Sequence, residues 1–175
     1  MDLEDLGKRL EALKDIEEIK QLQAHYVNCV ITTRWDELAE CFSENGTFDA
    51  HAGSATGRKE INKLFKEKIS DNHIGKEGLF IVHPIITIDG NKAKSSWLLY
   101  IQFAQPRKLE DKMAELPTND APDWLHGYYE NEYVKEDGKW KISYLKFRNR
   151  LTSPMQGGHY VFGRIGEKSS DSGRC

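Results

Sequence analysis

The sequence predicts an α+β domain, a strongly curved and mostly antiparallel sheet wrapped round N-terminal helices. Three observations lead there. From about Leu3 to Thr33, apolar residues recur at three- and four-residue steps, the period of an amphipathic helix. The second half alternates with period two and is punctuated by Asp89-Gly90 and Asp137-Gly138, pairs suited to tight hairpin turns. In the stretch 127–150, that alternation slips by one residue, from Trp140, Ile142 and Tyr144 to Leu145 and Phe147. Such a slip marks a β-bulge, which bends a strand while keeping its apolar face on the core.

Taken in order, the first helix carries Leu6, Leu10, Leu13, Ile16, Ile19, Leu22, Tyr26, Cys29 and Val30, and its first turns project beyond the domain or pack on a partner. A short second helix spans Trp35 to Phe42. Asn45-Gly46 reads as a turn before a strand to His51. Gly57 to Ile69 is a third helix with Thr56 as its N-cap. Leu79 to Ile88 is a strand interrupted at Pro84, and Lys92 to Gln105 a strand that is apolar on both faces from Trp97 to Ile101. Residues 106–123 form a long polar loop suited to covering a cavity mouth. On the long hairpin, Tyr129, Asn131 and Tyr133 share one face. Thr152-Ser153-Pro154 and Gly157-Gly158 end regular structure. Residues 1–166 are read as a single domain and 167–175 as a disordered tail.

At 175 residues, 38% hydrophobic and 10% aromatic, the chain can build one real core. A net charge of −3 gives no reason to expect nucleic acid or an anionic membrane as partner. No apolar run suits a membrane span, and the acidic, helical N-terminus does not read as a signal peptide, so a cytoplasmic location is expected. Cys29, Cys41 and Cys175 are too few and scattered for a disulfide framework or a zinc site, and the six histidines show no ligand spacing on any one element. Neither metal nor cofactor is expected.

The run Asp15-Ile16-Glu17-Glu18-Ile19-Lys20-Gln21-Leu22, then Tyr26, Trp35-Asp36-Glu37-Leu38 and Phe42, resembles the opening of SnoaL-like proteins of the NTF2-like (cystatin-like cone) superfamily. Gly57-Arg58, Pro84, Ile88-Asp89-Gly90, Trp97 and the Tyr129 to Ile142 hairpin extend the resemblance over about Asp15 to Asn149. It implies the cone fold. Its enzymatic members include bile-acid 7α-dehydratase and hexachlorocyclohexane dehydrochlorinase, cofactor-free lyases that use a histidine base held by an aspartate. Set against those members, the first-helix aspartate falls at Ile31, the histidine at Leu79 and a second aspartate at Ile101, so the usual dyad is replaced by apolar residues. The dehydratase's last-strand arginine falls at Asn149.

What remains is an apolar, aromatic interior with a few hydroxyl and amide groups, suited to a small, largely apolar molecule bearing one or two oxygens. Tyr26, His83 and Tyr129 are the catalytic candidates: the tyrosines as donors to a substrate oxygen, His83 as a relocated base two steps along the strand from Leu79. Phe48, Trp97, Leu99, Ile101, Asn131, Phe147 and Asn149 are the substrate-binding candidates. The expected activity is a cofactor-independent lyase or isomerase acting on a small hydrophobic hydroxylated compound, aromatic and polycyclic ones included. The alternative is a binding protein without turnover, and a third reading is a structural dimerisation module whose interior is filled by side chains. Leu98 and Tyr100 would expose apolar surface on the outer sheet face, where a second copy of the chain is the expected partner.

Overall fold

A computed structural model describes residues 2–70, 77–102, 124–153, 155–156 and 159–160. The expected lid at 106–123, the loop holding His73 and the tail at 167–175 lie outside them. Helix α1 (Leu3–Ile31) starts where the Asp2 carboxylate accepts the Asp5 amide at 2.7 Å, with Glu4 and Asp5 favouring the positive end of the helix dipole. Its first turns are solvent-exposed, Leu3, Leu6, Leu10 and Leu13 included; from Asp15 onward one face is buried by Ile19, Gln23, Tyr26, Val27 and Val30. Among the described residues, no helix is long and apolar enough to cross a membrane.

Helix α2 (Trp35–Glu40), strands β1 (Phe42–Ala50) and β2 (Gly53–Thr56), helix α3 (Arg58–Leu64) and a π-turn (Phe65–Ile69) follow. The remaining chain builds β3 (Gly78–Asp89), β4 (Lys92–Gln102), β5 (Trp124–Glu136) and β6 (Lys139–Ser153). The six strands form one sheet in the order β2-β1-β6-β5-β4-β3, antiparallel except where β1 runs parallel to β6. The α+β curved sheet around helices is therefore observed.

Three local expectations are corrected. Asn45-Gly46 is not a turn but lies inside β1. A Cβ on Gly46 would stand 2.8 Å from the Ile142 carbonyl oxygen, so the glycine permits a close strand approach. Thr56 does not cap α3; its hydroxyl meets that of Thr47 across the β1–β2 pair at 2.9 Å, and Gly57 takes the cap position with φ +88°. Regular structure also continues past Arg150, through β6 to Ser153 and a small hairpin of β7 (Met155–Gln156) and β8 (His159–Tyr160).

The slip in β6 is real. Tyr133 pairs with Ile142 and Glu132 with Tyr144, which leaves Ser143 as the extra residue. Ile142 and Leu145 are both buried, while the Tyr144 hydroxyl turns to Asp49 at 3.0 Å. A second shift, between His126 and Gly127, bends the same pair again. A Cβ on Gly127 would sit 2.4 Å from the Arg148 carbonyl oxygen and 2.8 Å from the Phe147 ring, so only glycine fits this bend.

A partly buried ion pair fixes α1 against the hairpin turn. The Asp15 carboxylate accepts Lys135 Nζ at 2.6 Å and Trp140 Nε1 at 2.9 Å. Burial pushes its pKa up, but the Lys135 and Trp140 hydrogen bonds and the Lys135 charge outweigh burial and hold it below the usual 3.8. A depressed carboxyl stabilises the fold fully above its unfolded value and loses that contribution as pH falls through the lower folded value. Thermal melts from pH 7 to pH 2 should therefore show a loss of stability below about 3.8 that Asp15→Asn removes, with a lower melting temperature at pH 7. An unchanged acid limb in Asp15→Asn would contradict the pair's role.

Candidate functional site

The bulges and pleat set the inward side chains of β3, β4, β5 and β6 in rows under α1. Leu79, Ile101 and Leu125 make the first row, and Ile81, Leu99, Gly127 and Asn149 the second. Trp97, Tyr129 and Phe147 make the third. Ile86, Ser95, Asn131 and Leu145 form the fourth, and Ile88, Ala93, Tyr133 and Ile142 the last. Leu79 and Ile101, at the positions where the resembling lyases carry ionisable groups, are buried apolar residues, and Ile31 packs against the core.

Tyr26 of α1 descends onto the third row. Its ring meets Tyr129 edge-on at 6.1 Å and Phe42 at 6.0 Å, and Tyr129 in turn meets Phe147 at 5.7 Å. Burial raises both phenols' pKa values; the neighbouring Tyr129 and the hydrogen bond between the two phenols raise Tyr26 further and partly offset the rise at Tyr129, so both stay protonated near neutral pH.

Beside them lies a buried polar network that joins α1 to the sheet. Gln23 Oε1 accepts Asn131 Nδ2 at 2.9 Å and the Tyr133 hydroxyl at 3.1 Å. Asn131 Nδ2 also reaches the Tyr133 oxygen at 3.1 Å. The Ser95 hydroxyl lies 2.9 Å from that oxygen and accepts Trp97 Nε1 at 2.7 Å. Burial raises the Tyr133 pKa, partly offset by its bonds to Ser95, Asn131 and Trp97. Two members keep spare capacity: Gln23 Nε2, a donor, and Asn131 Oδ1, an acceptor, are buried without a partner among the described residues, as is Asn149 Oδ1.

The predicted residues thus divide. Tyr26, Tyr129, Trp97, Leu99, Ile101 and Asn131 are buried under α1, with Phe147 and Asn149 beside them on β6. Phe48 is also buried, but its ring meets Phe65 at 4.9 Å, on the side of α3. His83 is not among them. It sits in the irregular step between Val82 and Ile85 with φ +53° and is exposed. The step before Pro84 breaks the alternation that would have turned it inward, so its ring is no base for the interior. Among the described residues, these five rows hold no imidazole, carboxylate or amine. Glu77, buried just before β3, has a partner of its own and stands about 20 Å along the strand from the Trp97 row at ~3.3 Å per residue.

Sequence reasoning missed Gln23 and Ser95 and did not assign Tyr133 a role. Only Tyr133 carried a signal, its shared face with Tyr129 and Asn131. An open depression of about 730 Å³ lined by Asp36, Glu37, Glu40, Arg58, Asn62 and Lys66 among others lies on the outside of α2 and α3. Half of its charged residues pair with one another, Lys66 with Asp36 at 2.7 Å and Arg58 with Glu40 at 3.2 Å.

A curved sheet closed by α1 over an aromatic and amide-lined face defines an NTF2-like cone. The chain belongs to the SnoaL-like domain family, whose model matches residues 11–146. Solved structures agree on the fold. An NTF2-like protein with a cystatin-like fold from Novosphingobium aromaticivorans is 18% identical, with TM-score 0.67 over 83% of this chain and 88% of its own. A putative scytalone dehydratase from the same organism is 21% identical, with TM-score 0.66 over 90% of this chain and 97% of its own. A hexachlorocyclohexane dehydrochlorinase from Novosphingobium barchaimii is 16% identical, with TM-score 0.65 over 87% of this chain and 98% of its own. At such identities the likeness is one of fold.

Replacing Tyr133 by Phe should leave Ser95, Asn131 and Gln23 short of a buried partner and cost about 1–3 kcal/mol. Urea unfolding checks this; a loss below about 0.5 kcal/mol would mean that the network adds little to stability.

Proposed function

We propose that this chain is a cofactor-free lyase or isomerase acting on a small, largely apolar, hydroxylated compound held under α1. The observation that carries the reading is the Tyr26–Tyr129 phenol pair, two protonated donors buried beside the spare donor of Gln23 and the spare acceptor of Asn131. A hydroxyl both donates and accepts, so it suits that amide pair, while Trp97, Leu99 and Phe147 offer apolar contact. Since the rows hold no base, the departing oxygen serves as its own. The C–O bond breaks, the phenols hydrogen-bond the developing hydroxide, and that hydroxide removes the proton from the neighbouring carbon and leaves as water. Both tyrosines end as they began. Donors aimed at a developing oxyanion are worth most in a dry, low-dielectric site.

The same absence of a base favours a second reading, binding without turnover. One experiment separates the two: hydroxylated aromatic and polycyclic compounds are screened for loss of water, and Tyr26→Phe and Tyr129→Phe are compared with the parent. The lyase reading predicts turnover that falls about 10²-fold or more in either variant, with KM changed only a few-fold. Binding without any turnover supports the second reading, and turnover indifferent to both variants sinks the mechanism.

We also infer a homodimer through the outer sheet face. Phe80 and Tyr100 pair across β3 and β4, as do Val82 and Leu98, and all four are exposed apolar residues. Sedimentation should give a dimer that Tyr100→Glu dissociates; a monomeric parent chain would refute this.

A further inference from the structure

At the elbow between α1 and α2, three metal-ligating groups converge from two helices. His25 and Cys29 lie one turn apart on α1, with His25 Nε2 3.7 Å from Cys29 Sγ. Glu37 of α2 completes the group, and the three ligating atoms all lie within 4.8 Å of one another. The elbow itself is tightly built. Thr33 takes φ +55°, and the Thr33 and Arg34 amides donate to the Val30 and Cys29 carbonyls at 3.1 and 2.9 Å. That closure swings α2 back so that Glu37 faces the last turns of α1.

We propose that His25, Cys29 and Glu37 bind a divalent cation of the zinc type, with a water completing the tetrahedron. The donor set is what such an ion takes: one thiolate, one imidazole and one carboxylate. Ligand distances of about 2.0–2.3 Å put the ligating atoms of a tetrahedral site roughly 3.3–3.8 Å apart. The His25–Cys29 spacing already meets that figure, and the carboxylate needs to close by about an ångström. Cys29 is fully buried and fixes the base of the site, while His25 and Glu37 are exposed. Glu37 is held by Arg34 Nη1 at 2.6 Å, so the ion would replace one cationic partner with another. On binding, the Cys29 S–H bond breaks, the metal–sulfur bond forms and the proton leaves to solvent. The ion would clamp α1 to α2 and stabilise the fold by mass action.

This differs from the sequence expectation of no zinc site because the donors are contributed by two helices that only the elbow brings together. The test uses the full chain, reduced, with Cys41→Ser and Cys175→Ser removing the other thiols. Titration with cobalt(II) should give one equivalent of binding and a sulfur-to-cobalt charge-transfer band, which zinc then bleaches. Cys29→Ser should abolish the band. His25→Ala and Glu37→Gln, exposed positions whose circular dichroism should match the parent, should each weaken binding at least about tenfold. A chain that yields no band, or one whose band and affinity survive both exposed-site variants, overturns the proposal.

Discussion

Gln23 is the residue on which the arrangement under α1 turns. A single side-chain oxygen on the helix receives hydrogen bonds from two residues of β5, Asn131 and Tyr133. A buried amide left unpaired costs about 1–3 kcal/mol, so the helix can neither slide nor rotate on the sheet without stranding these groups. The Asp15–Lys135–Trp140 contact pins the same helix further along, where it crosses the hairpin end. Between those two points, α1 has one register. The tyrosine three residues after Gln23 is thereby delivered onto Tyr129, two residues before Asn131.

The sheet makes that delivery possible by bending. The extra residue at Ser143 and the shift beside Gly127 curl β5 and β6, and Gly46 lets β1 approach closely enough to continue the curve. A flat sheet would offer α1 one line of contact, whereas a curled one encloses the helix with rows from four strands. The cost of the polar network is a core less apolar than it could be. Well-packed leucines would fill the same space with no amides to satisfy, so a neutral, hydroxyl-bearing floor is more readily explained by recognition than by stability.

Much of this was legible in the residues and some was not. The alternation of Tyr129, Asn131 and Tyr133, the slip near Tyr144 and the inward Trp97, Leu99 and Ile101 all follow from period two, which local chain geometry enforces. His83 was misplaced because Pro84 adds an irregular step, and parity counted across such a step reverses. Gly46 looked like a turn since Asn-Gly usually is one; its real reason, the approach of Ile142, is a long-range contact that no local pattern encodes. Gln23 stayed hidden among the polar residues of a helix whose neighbours are mostly charged. Its burial depends on where the sheet ends up, and so does the convergence of His25 and Cys29 with Glu37.

The SnoaL-like fold is compatible with either chemistry or simple binding. The central claim is that the amide and phenol floor recognises an oxygen-bearing ligand. The most direct test is ligand titration of Asn131→Leu, a near-isosteric change, followed by intrinsic tryptophan fluorescence with the hydroxylated compound that binds the parent best. The account predicts that the variant stays folded and loses at least about tenfold in affinity, one hydrogen-bonded group being worth roughly 1.4 kcal/mol or more. Unchanged affinity in a folded Asn131→Leu chain would show the network to be core packing, and the recognition claim would fail.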